Sequence, residues 1–326
     1  MWANWEIVAL ATWLKEQNSL LVDEKKIGFY GLDVYSLWES MDQIVGYLEK
    51  EDPDTAVLAK EAVRCFEPFR ENDSYTSVFS LAQPSCKEQV LQLLKRVRLN
   101  AHNYDHQKEA GLNAELNTLV MANAEKYYES MVSFGEESWN VRDKHMVETL
   151  NTLVDHHGPE AKVIIWEHNT HIGDARATNM AFQGLVNVGQ LVREQHHIRD
   201  EVVLVGFSSY AGSVIAGRAW GAPMQNLEVP PAMPGSIEDM LHRHSETDKL
   251  IIFNEDAELM EAFSEKIPHR AIGVVYNPNY ERGIYVPSVL SLRYDAFIFI
   301  DETSALHPLK LKPDGHKVPD TFPFGF

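Results

Sequence analysis

The steepest change of polarity along the chain lies between Lys162 and Thr178, K-V-I-I-W-E-H-N-T-H-I-G-D-A-R-A-T. Val163, Ile164, Ile165 and Trp166 are too few for an independent helix and rich in β-branching, which predicts a strand buried on both faces. Polar residues follow at once: Glu167, His168, Asn169, His171, Asp174 and Arg176. In an open α/β sheet that position, past the carboxyl end of a buried strand, is where ligands sit. A polar loop after a strand is also commonplace in such folds. Gathering this many titratable groups on one loop, however, carries desolvation and repulsion costs that sites tolerate more often than scaffolds, so the two histidines become the candidate chemistry.

Taken in order, Asn4 is placed to cap a helix with Trp5, Val8, Ala11 and Leu14 on one face. Ile27 to Leu32 reads as a short strand followed directly by Asp33. Ser36 is placed to cap a helix with Leu37, Met41, Val45 and Leu48 on one stripe. From Asp52 to about Tyr128 the pattern is helical throughout, with Pro53 in a first turn and a capping box formed by Ser85 and Glu88. Trp139 to Asp143 reads as a compact turn before a helix that Gly158 and Pro159 stop near His157. His156, His157, His196 and His197 are assigned no chemistry. Further strands are predicted at Val202–Phe207, Leu250–Phe253, Ala271–Val275 and Ala296–Ile300. Helices are predicted near Thr178–Glu194, Ser236–His244 and Glu258–Lys266.

Strand alternating with helix over the second half predicts an α/β fold, a mostly parallel sheet flanked by helices on both faces, with a large all-helical insertion. The expected layout is 1–50 as the start of the α/β core, 51–135 as a helical insertion or cap, 136–307 as α/β core with the catalytic loop, and 308–326 as a proline-rich, basic tail. Polar residues after the strands (Asp33, Glu167 and His168, Ser208, Asn254, Asp301 and Glu302) are expected to gather at one sheet edge.

Composition narrows the function classes. The chain has 326 residues, 44% hydrophobic, enough for a large core. Its 29 basic against 48 acidic residues give a formal charge of -19, a field that repels nucleic-acid backbones and anionic lipid, so neither is an expected partner. No apolar run is long enough to span a bilayer. Cys65 and Cys86, outside any C-x-x-C pair, are expected to be reduced structural thiols in a cytoplasmic protein.

Three kinds of chemistry suit the histidine pair. A metal would take His168 and His171 with Asp174 or Glu167, but H-x-x-H in a loop is a weak signal. A serine nucleophile at Ser208, in G-F-S-S-Y-A-G, departs from G-x-S-x-G because Tyr210 stands where glycine is required. Phosphate-binding glycine motifs are absent. Metal-free acid/base hydrolysis fits the residue types best: one imidazole activates water or protonates a leaving group, and an arginine such as Arg142 or Arg176 stabilises the oxyanion.

Six segments together resemble the erythromycin esterase family, in the family's order and over essentially the whole chain: G-F-Y-G-L-D-V-Y-S (Gly28–Ser36), S-W-N-V-R-D-K-H-M (Ser138–Met146), W-E-H-N-T-H-I-G-D-A-R-A-T (Trp166–Thr178), G-F-S-S-Y-A-G-S-V (Gly206–Val214), V-P-P-A-M-P-G-S-I-E-D (Val229–Asp239) and A-I-G-V-V-Y (Ala271–Tyr276). The resemblance implies an α/β fold with a helical insertion and metal-independent hydrolysis of an ester or macrolide lactone, with no cofactor and a small-molecule substrate. It places catalysis on His168, His171 and Arg142, and substrate contacts on Asp33, Glu167, Asn169, Asp174, Arg176 and Glu302. Bacterial macrolide resistance is the setting it implies. The alternatives are a non-catalytic ligand-binding protein of the same fold and a His-dependent metallohydrolase. Family members carry, upstream of the M-W-A-N-W element, a G-E-x-x-H-G-like segment with a histidine base and an acidic residue on the next strand. The chain begins after both, so it is expected to be a truncated or mis-started product that hydrolyses poorly and exposes a sheet edge.

Overall fold

The computed structural model describes residues 3–70, 86–100, 104, 108–132, 137–196, 202–219, 222–253 and 256–309. The helices are α1 (Trp5–Ser19), α2 (Leu37–Glu51), α3 (Pro53–Arg70), α4 (Lys87–Leu99), α5 (Lys108–Val132), α6 (Glu137–His157), α7 (Asn169–Ile172), α8 (Val188–Gln195), α9 (Ile237–His244), α10 (Ala257–Ala262) and α11 (Leu290–Arg293). The strands are β1 (Val205–Ala216), β2 (Gln225–Val229), β3 (Lys249–Ile252), β4 (Lys266–Arg270), β5 (Tyr285–Val289) and β6 (Ala296–Thr303). None of the described helices is long and apolar enough to cross a membrane. The chain divides into two compact units, one built from residues 32–167 and 180–197 and one from residues 1–31, 168–179 and 198–326.

In the helical unit, apolar residues three and four apart bury one stripe of each helix. Leu37, Met41, Ile44 and Leu48 of α2 join Phe66 of α3, Val90 and Leu93 of α4, and Leu119 and Tyr127 of α5 in one core, with the expected Val45 half-buried at its margin. Pro53 opens α3, where its missing N–H costs nothing. Ser36 occupies the position before α2, but its hydroxyl meets Ser40 rather than the backbone. The capping box expected at Ser85 lies outside the described residues. Trp139 to Asp143 is not a turn: these residues are already helical, inside α6. Gly158 ends that helix at φ 87°, a left-handed conformation that glycine adopts without strain. Two further expectations fail here. Cys65 and Cys86 are joined in a disulfide with Cα atoms 5.7 Å apart, because α3 brings one beside the residue that precedes α4. The strand expected at Val163–Trp166 belongs to no sheet, and Ile164 is 95% exposed. Local hydrophobicity suits a strand there, but no described strand lies alongside it.

In the sheet unit, β2-β1-β6-β3 form one sheet and β4-β5 a second. β1 and β6 are parallel, whereas β1 with β2, β3 with β6 and β4 with β5 are antiparallel, so the mostly parallel sheet gives way to a mixed one. The reason lies in strand composition: Ile27–Leu32 and Ala271–Val275 contribute no strand beyond a bridge from Val275 to Gly217, while β2, β4 and β5 enter as hairpin partners. β1 runs twelve residues, past the expected end at Phe207. At Gly212 it exchanges its parallel partner for its antiparallel one; φ there is 130°, and a Cβ would overlap the Thr303 backbone. Phe297 and Phe299 of β6 are buried in a core with Ile237 and Leu241 of α9. Helices were expected on both faces, yet the side bearing Phe207, Leu250 and Ile252 stays exposed. Asn4 caps α1 through the Ile7 N–H, as expected, but α1 buries none of its own residues. Ser236 caps α9 through Asp239 N–H. The helix expected over Thr178–Glu194 is broken into a 3-10 turn at Asn179–Gln183 and α8, and that at Glu258–Lys266 shortens to α10. Of the tail, Pro308 bridges to Asn4 and Leu309 N–H bonds Ala3; 310–326 lies outside the described residues.

Candidate active site

The H-N-T-H segment is shaped by its own side chains. His168 is the N-cap of α7: the Thr170 N–H donates to Nδ1 at 3.2 Å, which puts the imidazole proton on Nε2, and Nε2 donates to the Ile272 carbonyl at 2.8 Å. Desolvation, reinforced by the neighbouring cations and imidazoles, lowers its pKa to about 4, so His168 is neutral with both nitrogens engaged. Asn169 acts as a strand substitute. Its side-chain amide gives and takes a hydrogen bond with the Phe207 backbone of β1, fixing the loop to the sheet. His171, the last-turn residue of α7, is buried. Asp174 caps the following 3-10 turn and binds the Arg176 guanidinium with both oxygens, at 3.0 and 2.7 Å.

Beneath this loop lies a hub. One oxygen of the fully buried Glu238 accepts from the Ser208 hydroxyl (2.6 Å), His269 Nδ1 (2.7 Å) and the Arg270 N–H (3.0 Å). These bonds hold the Glu238 carboxyl below its ordinary value against the opposing pull of burial, while burial keeps His269 neutral. The imidazole bonds the carboxylate and not the serine, so Ser208 lacks the base that a serine nucleophile requires.

In the helical unit, Arg142 binds Asp33 bidentately, Nε at 3.0 Å and Nη2 at 2.7 Å, with its guanidinium carbon 4.7 Å from the Tyr35 ring centroid. Two further acids face this pair. Burial pushes Asp143 well above the usual carboxylate range although it accepts the Val188 N–H. Burial and the proximity of Asp143 and Asp33 raise Glu167 to about 8, and neither Glu167 oxygen meets a donor. One guanidinium thus serves three carboxyls, and protonation takes up the excess charge at Glu167 and Asp143. His145, desolvated to a pKa of about 4, accepts from Asn123 and is neutral. No group of three His, Cys, Asp or Glu side chains is placed to hold a metal ion among the described residues.

The erythromycin esterase family model matches residues 1–303. The chain belongs to this family. A curated family member from Escherichia coli, erythromycin esterase type II, is 21% identical over 92% of this chain and 73% of its own length. Among solved structures the fold matches a Bacillus cereus protein (TM-score 0.74, 15% identity, 94% of this chain and 74% of that one). It also matches a succinoglycan biosynthesis protein (0.72, 18%, 94% and 72%) and an erythromycin esterase mutant in its open conformation (0.63, 14%, 91% and 72%).

Within this erythromycin esterase fold, His168, Asn169, His171, Asp174, Arg176 and Glu302 fall in the sheet unit; Asp33, Arg142 and Glu167 fall in the helical unit. Asp33 meets Arg142, and Asp174 meets Arg176. Glu302 is exposed on β6, and Ser208 and Asp301 lie within strands instead of following them, while Asn254 lies outside the described residues. Asp301 instead bonds His242, on which the Tyr210 ring stacks at 3.6 Å. Sequence reading missed Glu238, His269, Asp143 and Arg293 as site residues. Glu238 stands in the quoted G-S-I-E-D segment, where its acid so near the cap was the available signal; Arg293, at the end of a short apolar run, offered none.

Proposed function

We propose that the chain hydrolyses a carboxylic ester or lactone, macrolide-like in size, by general acid/base catalysis that needs no metal. The observation that carries this reading is the H-N-T-H loop of a family member, with one imidazole fixed as the cap of α7 and the second one turn on. His168, bonded at both nitrogens, is proposed as the orienting imidazole, and His171, the second imidazole of the loop, as the proton-transfer group. Its imidazole accepts a proton from water as the water oxygen bonds the acyl carbon. The carbon–oxygen ester bond then breaks, and the imidazolium returns the proton to the departing alkoxide, leaving acid and alcohol. The Arg176 guanidinium, in the same unit, stabilises the tetrahedral oxyanion. Asn169, Asp174 and Glu302, of the same unit, are proposed as its supporting and substrate-facing groups.

A hydrolysis screen of esters and lactones, macrolides included, tests the reading. Turnover is expected to survive chelators and to fall by about 10² to 10⁴-fold in His171→Ala with the fold intact. Loss of activity on chelation, or full activity in His171→Ala, overturns it. One observation favours a binding-only alternative: the two His168 nitrogens are satisfied by the chain itself. Calorimetric binding of a macrolide without turnover would select it.

A further inference from the structure

Three arginines are buried among the described residues: Arg142, Arg270 and Arg293. The first pairs with Asp33 and the second with Glu281, each at 2.7 Å. Among the described residues Arg293, the most buried of the three, meets no carboxylate. Its Nη1 donates to the Ser288 hydroxyl (2.7 Å) and its Nη2 to the Asn169 carbonyl (3.1 Å), and its Nε finds no acceptor. A guanidinium held out of water without a counter-charge is costly, and a position needing only bulk would be filled better by an apolar side chain.

What the charge does follows from where it is attached. Nη2 holds Asn169 at the start of α7, and the Arg293 carbonyl accepts the Asp174 N–H (3.0 Å) just beyond its end. Between them Gly173 lets the arginine pass, since a Cβ there would sit 2.7 Å from Nε. Arg293 therefore grips both ends of H-N-T-H-I-G-D. The titratable and charged groups facing His168 are His171 on its own helix, His269 from β4 and Arg293 from α11, and all three oppose a positive charge on His168. Glu238, the acid bonded to His269, also accepts from Ser208 and the Arg270 N–H.

We propose that Arg293 is a positioning residue for the hydrolytic loop: its grip fixes the two ends of the loop and so preserves the Thr170 and Ile272 bonds that set the His168 tautomer, and its charge keeps that imidazole neutral, so that His171 is presented in a single orientation. The effect on turnover rests on the ester-hydrolysis reading; the effect on His168 does not.

Imidazole ¹⁵N NMR across pH 4–8, with His168 assigned through His168→Gln, reads tautomer and protonation directly. Arg293→Met is expected to raise the His168 titration midpoint by about one pH unit or more and to mix its tautomers. Arg293→Lys keeps the charge and loses the fork, so it should hold the midpoint while lowering kcat about tenfold at an unchanged KM. A folded Arg293→Met with the wild-type His168 midpoint and tautomer overturns the proposal. Should Arg293→Met not fold, Ser288→Ala removes one anchor; it is expected to lower kcat about threefold or more and to alter the His168 resonances, and wild-type values for both would also overturn it. If the wild-type chain hydrolyses no ester, the functional reading fails while the His168 spectra still decide the role of Arg293.

Discussion

Arg142 and Arg293 are both withdrawn from water and do opposite things with their charge. Arg142 spends its guanidinium on Asp33 in a two-point bond, and the acids left over, Asp143 and Glu167, are pushed toward protonation. Arg293 bonds only neutral acceptors, and the imidazoles facing it are pushed toward neutrality. A paired arginine is thus a local structural clamp, whereas an arginine without a carboxylate projects its field onto whatever titrates nearby.

The comparison breaks most visibly at Arg142. Arg142→Met leaves Asp33 without its partner and Asp143 without an opposing charge, and urea unfolding at pH 7 should register a loss of about 2–4 kcal/mol. That lies below the cost for a wholly buried pair because the Asp33 side chain is 35% exposed. A variant as stable as the wild type would mean the clamp contributes little. Next in size is a pH effect. Folding raises the Glu167 carboxyl from 4.5 to about 8, so the folded chain binds that proton more tightly. The associated stability is complete below pH 4.5 and declines until pH has passed about 8. Between pH 5 and pH 9 the Glu167 shift alone corresponds to a loss of about 4 kcal/mol, and Glu167→Gln should make the decline shallower without abolishing it, because Asp143 shifts in the same direction. Equal slopes for both proteins would remove Glu167 from the account. The smallest expected effect is at Glu238→Gln, which keeps an acceptor but loses the charge shared by Ser208 and His269, and should cost about 1–2 kcal/mol in the same unfolding measurement. No change there would show that the hub is held by packing alone.

How much of this was legible depended on whether the governing contact is local. Asn4, Ser236 and the α2 stripe act within one or two turns, and each element formed where its pattern placed it. β2 and β5 went unseen because Q-N-L-E-V alternates weakly and Y-V-P-S-V contains a proline, which signals against a strand until its hairpin partner is known. Val163–Trp166 failed the other way: the residues suit a strand, yet they form none. In the candidate site, the run of polar residues at 167–176 and Arg142 stood out in the sequence as candidates. The bonds that give them meaning, Ile272 to His168, Asp33 to Arg142 and Asn169 to Arg293, span about 100 residues or more and leave no mark in spacing.

The Cys65–Cys86 bond closes a loop between positions 21 apart in the helical unit. By chain-entropy reasoning, tying such a loop removes unfolded conformations equivalent to about 3 kcal/mol. Glutathione-rich compartments withhold that contribution and oxidising ones supply it. The same polypeptide therefore has two resistances to unfolding, set by the compartment in which it matures.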